Sequence, residues 1–353
     1  ETGMYVSFND GLSWEAFQQN LPIVPITDLA VKDNSLIVAT QGRSLWILDD
    51  LTVLHQIEKT IDKAVLYTPK PTYRVPGRGG RSSLTAGTNL PNGVITHFYI
   101  PEVNDEKDSV ALSFHAADGS LIKRYSTQDK KNKLTVVKGG NQFVWNMRYD
   151  GAERLKGMIL WGASLSGAKA VPGNYTVTLS YNGQEESKAF KILPSPLAET
   201  TVAQMQEQFD FVNGINQTID AAHKAIKKIR TVTKKLGEFQ TNFKENEAAN
   251  DLRASAKELA NKLSNIEKAL YQTQNRSNQD PLNFPIRLTN KLGHINNLVM
   301  RNDFPPTAQD IAVRDELTQA INAQLDTYTS LMKNDVTAFN EAFKALALDY
   351  LIE

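Results

Sequence analysis

No cysteine occurs anywhere in the 353 residues. That removes disulfide staples, thiolate metal sites and cysteine nucleophiles together, while leaving the compartment open. Net charge is missing too: 39 Lys and Arg are matched by 39 Asp and Glu. Nucleic acid and anionic membrane surfaces are both gripped through an excess of positive charge, so neither is expected as the principal partner. No apolar run approaches the ~18 residues that a membrane span requires, so no membrane insertion is expected. The opening Glu1-Thr2-Gly3-Met4-Tyr5 does not read as a signal peptide. Histidine is scarce. His55, His97, His115, His223 and His294 stand apart with no HExxH or HxH pair, whereas zinc sites need such clustering. No metal and no cofactor is expected.

What is present is ordinary for a soluble globular chain, 41% apolar and 22% charged, and its length suits two or three domains. Residues 1–60 are short apolar runs cut by Asn, Asp and Gly. They predict strands over Gly3–Phe8, Ile26–Val31, Ser35–Thr40 and Ser44–Leu48, with turns at Asn9-Asp10-Gly11 and Lys32-Asp33-Asn34. Four such strands make one propeller blade. A lone blade cannot bury both of its faces, so it should not stand alone. Residues 61–92 read as a linker, with Pro69, Pro71, Pro76 and Pro91 around Gly77-Arg78-Gly79-Gly80-Arg81-Ser82-Ser83.

From 93 to 194 the pattern predicts about seven short strands, among them Val94–Ile100, Val110–His115, Leu121–Tyr125, Asn141–Met147 and Tyr175–Tyr181. Turns are expected at Asp118-Gly119, Asp150-Gly151, Pro172-Gly173 and Asn182-Gly183, because Asp-Gly and Asn-Gly accept positive φ. That spacing fits an immunoglobulin-like β-sandwich. From 199 to 353 Gly and Pro thin out and apolar residues recur by threes and fours, from Val202 and Met205 through Ile229 to Leu236. Further stripes run through Leu252–Leu270, Leu288–Val299 and Leu317–Leu346, with breaks at Pro281 and at Pro305-Pro306. Thr201 with Gln204 fits a capping box, and Thr307 with Asp310 resembles the next cap. The simplest assembly is an up-and-down four-helix bundle. The expected fold class is thus multidomain β plus α: terminal propeller blade or blades, immunoglobulin-like sandwich, helical bundle.

Chemistry is hard to find. Gly162-Ala163-Ser164-Leu165-Ser166-Gly167 is serine-rich, but a GxSxG nucleophile turn needs Gly where Ser166 stands, so it reads as a flexible sandwich loop. Gly77–Ser82 lacks the strand before and the helix after that a phosphate cradle requires. Arg74, Arg78 and Arg81 remain as an anion or partner contact, set against a linker lying on a neighbouring domain. Asp49 and Asp50 are adjacent and would point to opposite faces of a strand, and no pair of carboxylates is singled out by the spacing that glycoside hydrolysis needs. The run Lys224-Ala225-Ile226-Lys227-Lys228-Ile229-Arg230, with Lys234-Lys235, would put a basic face on the long helix. Such a face is either solvated or faces an acidic partner.

Ser7-Phe8-Asn9-Asp10-Gly11-Leu12-Ser13-Trp14 resembles the Asp box, the SxDxGxTW hairpin of sialidase-type and sortilin-type propellers, with Asn9 at the usual Asp position and Ser13 for Thr. In that family the polar side chains bond turn amides and the aromatic ring packs inside the blade, so Ser7, Asn9, Asp10, Gly11, Ser13 and Trp14 are implied to be structural. Leu36–Asp50 resembles the last blade of secreted bacterial sortilin-like or Asp-box (BNR repeat) proteins labelled glycosyl hydrolases. Val110–Phe114, Asp118-Gly119, Phe143–Asn146 and Pro172–Tyr175 resemble an immunoglobulin-like domain of flagellar-hook-capping type, with Trp145-Asn146-Met147 where that family reads Trp-Asp-Gly. The helical tail, with Asn283-Phe284-Pro285, is similar to the ending of the same proteins.

The resemblance implies the C-terminal portion of a longer propeller protein, secreted or held at a bacterial cell surface or outer membrane. It implies no catalytic residue in this chain. The function expected is a non-catalytic structural or interaction module that braces the propeller or docks a protein partner, such as a cell-envelope complex. Its first partner would be the remaining propeller blades, or a chain that completes them. A glycosidase-type hydrolase with its site in other blades is the alternative, and a sortilin-like peptide binder the third.

Overall fold

Short alternating runs become strands and the long three-four stripes become helices, in a computed structural model that describes residues 3–58, 61–75, 87–104 and 109–346. The chain is β plus α and falls into two units. One is Glu1–Asn146 with Pro172–Leu193, and the other is Met147–Val171 with Pro194–Glu353.

The first unit opens with a hairpin of β1 (Tyr5–Val6) and β2 (Glu15–Ala16). A three-stranded antiparallel sheet follows, of β3 (Ile26–Lys32), β4 (Ser35–Thr40) and β5 (Leu45–Leu48). Asp33 and Asn34 at its first hairpin have φ of 49° and 63°, the two left-handed residues of the tight turn whose twist suits paired strands. Eight more strands form two sheets: β6 (Val65–Leu66), β7 (Thr72–Arg74), β8 (Val94–Ile100), β9 (Val110–His115), β10 (Leu121–Ser126), β11 (Gly139–Trp145), β12 (Gly173–Tyr181) and β13 (Gln184–Pro194). Their orders are β10-β9-β12-β13-β7 and β11-β8-β6. Segment 61–92, read from composition as a linker, therefore supplies an edge strand to each sheet. Runs of two and three residues leave no period to read.

Alternation fixes which side of each strand turns inward. Val94, Thr96, Phe98 and Ile100 of β8 are buried, as are Tyr175, Val177 and Leu179 of β12. Trp145 of the smaller sheet stacks on Phe114 of the larger at 4.6 Å, and Phe190 and Tyr175 meet it edge-on at 6.3 and 6.2 Å. The two sheets thus share one aromatic core between their inner faces.

The second unit is helical: α1 (Val202–Asn242), α2 (Asn250–Leu270), α3 (Leu288–Val299), α4 (Ala308–Lys333) and α5 (Asp335–Ala345). Both expected caps form. Thr201 Oγ1 accepts from Gln204 N while Gln204 Oε1 accepts from Thr201 N, and Thr307 with Asp310 repeats the pattern. The fourth apolar stripe is carried by two helices because the chain turns at Asn334, the cap shared by α4 and α5. Ile215, Ile219, Ile226 and Ile229 of α1 are fully buried in one core with Leu263 of α2, Leu292 of α3 and Ile321 of α4.

Residues 147–171 belong to this helical unit and contain no strand of their own. Asp150-Gly151 is accordingly not a hairpin turn. Its glycine answers a close approach instead, since a Cβ there would lie 1.8 Å from Leu165 O. Nor is 162–167 a free loop. A segment without ladder partners must satisfy its buried backbone otherwise, and amide side chains of α1 and α3 do so. Asn290 accepts from Trp161 N at 2.7 Å and donates to Trp161 O at 2.8 Å. Asn296 donates to Ser164 O at 3.0 Å and Asn216 to Ser166 O at 2.9 Å.

Candidate functional site

The turn over residues 7–14 is built from its side chains. Ser7 Oγ accepts from Gly11 N at 2.8 Å and donates to Asn9 Oδ1 at 3.0 Å. Asn9 Oδ1 also accepts from Ser13 N at 2.9 Å, and Asn9 Nδ2 donates to Ser13 Oγ at 2.8 Å. Short polar side chains that bond turn amides two to four residues away are the usual means of fixing such a turn. Asn9 takes the bonding role. Asp10 takes the left-handed backbone position, with φ 54°, followed by Gly11 at φ 86°. Trp14, by contrast, is 63% exposed.

The same openness extends over the neighbouring sheet. Directly paired residues of antiparallel strands share a face. One face of β3–β4–β5 therefore carries Leu29, Val38 and Trp46 in one row and Val31, Leu36 and Leu48 in the next. The opposite face carries Ala30, Ile37 and Ile47 in one row and Asp28, Ala39 and Leu45 in the next, with Lys32 and Ser35 paired at its end. The first face is apolar and the second is mostly so. A sheet with water on one side alternates apolar with polar residues; one that is apolar on both sides is built to be covered on both. Yet Leu29 is 52% exposed and Val31 67% on the first face, and Leu45 67% and Ile47 59% on the second. The outer edges of β3 and β5 pair with no other strand among the described residues.

Of the three arginines singled out in the sequence, one lies among the described residues. Arg74 ends β7 and is enclosed, 1% exposed, because β7 joins a sheet instead of hanging in a linker. Arg78 and Arg81 lie outside the described residues. Asp50 is occupied structurally: its Oδ1 accepts from Thr52 N at 2.9 Å and Asn34 Nδ2 at 3.4 Å. The main-chain carbonyl of Asp49 accepts from Lys70 Nζ and Ser35 Oγ. A 460 Å³ cavity in the β unit touches Glu58, Tyr67, Tyr181, Glu186 and Lys188. Glu186 there is committed to Leu66 N at 2.8 Å and Lys188 Nζ at 2.9 Å. Burial, with Tyr99, Glu58 and Glu186 nearby, pushes the Tyr67 phenol above its ordinary range.

No group of three or more His, Asp or Glu side chains able to hold a metal occurs among the described residues, and no described helix is long and apolar enough to cross a membrane. The basic run on α1 is largely neutralised. Lys224 pairs with Asp220 at 2.6 Å, Lys227 with Glu153 at 3.1 Å, Arg230 with Glu267 at 2.7 Å and Lys234 with Glu238 at 3.6 Å. His223, beside that run, is fully buried.

The buried amides Asn216, Asn290 and Asn296 are functional in the architectural sense and were not singled out from sequence. Their one signal is an Asn at core spacing inside an apolar helical stripe.

No protein-family model matches the chain, and no curated protein does. Among solved structures the chain aligns with a protein titled pT26-6p at 13% identity and a TM-score of 0.12, over 77% of this chain and 49% of that one. The chain thus spans about half the length of that protein, and a superposition this poor says nothing about shared fold or function.

Proposed function

We propose that the chain is a non-catalytic structural and interaction module. In this reading residues 1–60 are a terminal Asp-box propeller blade or blades, completed by further blades or by a partner chain. The two facing sheets are an immunoglobulin-like sandwich and the helices a four-helix bundle, and these domains brace the propeller or dock a protein of a bacterial cell envelope, secreted or surface-held.

The observation that carries it is the sheet β3–β4–β5, with exposed apolar residues on both faces and both edges unpaired among the described residues, preceded by a turn whose Ser7, Asn9 and Ser13 bonds are those an Asp box would make. Propeller sheets stack radially, face to face, which is the environment such a sheet requires. Fully burying a Leu, Val or Ile stabilises by roughly 1.5–3 kcal/mol. Leu29, Val31, Leu45 and Ile47, each half to two-thirds exposed, would therefore contribute several kcal/mol to a covering contact. The glycosidase reading rests on the same turn alone and would place its site in blades outside this chain; Asp50 here is engaged by Thr52 N.

A photo-crosslinking residue placed at Leu29 and, separately, at Ile47 in the natural source tests both faces. Adducts to β-rich segments of the same polypeptide or of one partner chain are expected from each position. Absence of adducts from either face overturns the blade reading.

A further inference from the structure

One part of the basic run on α1 is left over once its ion pairs are assigned. Lys228 and Lys235 are exposed, and neither has an ion-pair partner among the described residues. Seven residues apart, they fall within about 20° of each other around the helix, so both project from one face. That face borders a 330 Å³ cavity in the helical unit, walled by Val232, Leu236 and Phe239 of α1, Met332 of α4, and Phe339 and Phe343 of α5. The phenylalanines stand edge-to-face, Phe239 at 5.5 Å from Phe339 and 5.6 Å from Phe343. The change of direction at Asn334, where α4 gives way to α5, brings residues of both helices to the opening.

We infer that this cavity binds a single-chain amphipathic anion, a carboxylate on an alkyl chain, with the chain among the aromatic and aliphatic side chains and the carboxylate at Lys228 and Lys235. Size and charge agree. The cavity is about twice the ~150 Å³ engineered cavity that takes up benzene, and at the lower end of the range that holds small ligands. Two like charges kept unpaired at the mouth of an apolar cavity complement one anionic head, while Lys224, Lys227, Arg230 and Lys234 on the rest of the helix are each paired with a carboxylate.

The test is calorimetric titration of the full chain with dodecanoate below its micelle concentration, with dodecyltrimethylammonium as the cation of equal chain length. Methyl NMR of Val232, Met332 and Val336 locates the ligand. One dodecanoate per chain is expected, with shifts at those methyls and at least tenfold weaker binding of the cation. K228E/K235E should weaken dodecanoate at least tenfold, two exposed charge contacts each contributing a few-fold. Because both lysines are exposed, its far-UV circular dichroism and melting should match the parent chain. Equal affinity for the two amphiphiles, an unaffected double variant, shifts centred on Leu29 or Val31 instead, or no saturable binding each overturns the assignment.

Discussion

Lowering the pH should destabilise the helical unit through one residue, His223. It is fully buried on α1, and its Nδ1 lies 2.5 Å from the carbonyl oxygen of Glu153. A carbonyl only accepts, so Nδ1 carries the proton and Nε2 is left as a bare acceptor. Nε2 has no partner among the described residues. Protonation would place a cationic N–H where nothing receives it. Burial accordingly holds the imidazole below its ordinary value of 6.5, against the smaller opposing pull of Glu153 and Asp220 and alongside the repulsion of Arg230. Those neighbours are themselves engaged, Asp220 by Lys224, Glu153 by Lys227 and Arg230 by Glu267. With the native value depressed, the unfolded chain binds the proton first as pH falls. Stability from this site is complete above about pH 6.5 and declines below it, by at most ~1.4 kcal/mol per pH unit, until the native value is reached. The assay is denaturant unfolding followed by far-UV circular dichroism from neutral to mildly acidic pH, for the natural chain and for His223→Asn, which keeps a donor near the Glu153 carbonyl and cannot titrate. The natural chain should lose stability relative to the variant as pH falls. A flat or inverted difference would mean that Nε2 reaches an acceptor, and the reasoning would fail.

Three further outcomes follow from the same geometry. Thr201→Ala removes the acceptor for Gln204 N at the start of α1 and should cost about 1 kcal/mol in thermal or denaturant unfolding. Asn290→Ala strips both the N–H and the C=O of Trp161 of their partners. It should cost about 1–3 kcal/mol, with hydrogen exchange accelerating at Trp161. Asn9→Ala should loosen the 7–14 turn, read as faster exchange at the Ser13 amide, whereas Asp10→Gly should leave it intact or gain up to ~1 kcal/mol, since Asp10 holds a left-handed φ of 54° that glycine adopts freely.

Where a residue's environment is set by its own near neighbours, composition and period sufficed to read it. Thr201 meets Gln204 three residues on, Asp33 and Asn34 close their own hairpin, and Ile215, Ile219, Ile226 and Ile229 line one side of one helix. Segment 147–171 is the opposite case. Its Asp-Gly and Gly-Ser content matches a loop between strands, and its placement on the helices is decided by Asn216, 50 residues from Ser166, and by Asn290, 129 residues from Trp161. An Asn in an apolar stripe announces that some backbone is being satisfied, without naming which. The burial of Arg74 is illegible in sequence for a related reason: β7 is three residues long, and its place beside β13 is set by distant pairing. The 7–14 turn lies between these cases. Ser7, Asn9 and Ser13 bond one another within six residues, whereas Trp14 is left 63% exposed by its neighbours. The exposed Leu29, Val31, Leu45 and Ile47 of β3–β4–β5 are the same case at larger scale: strand pairing makes the sheet, and nothing in its own turns buries those side chains.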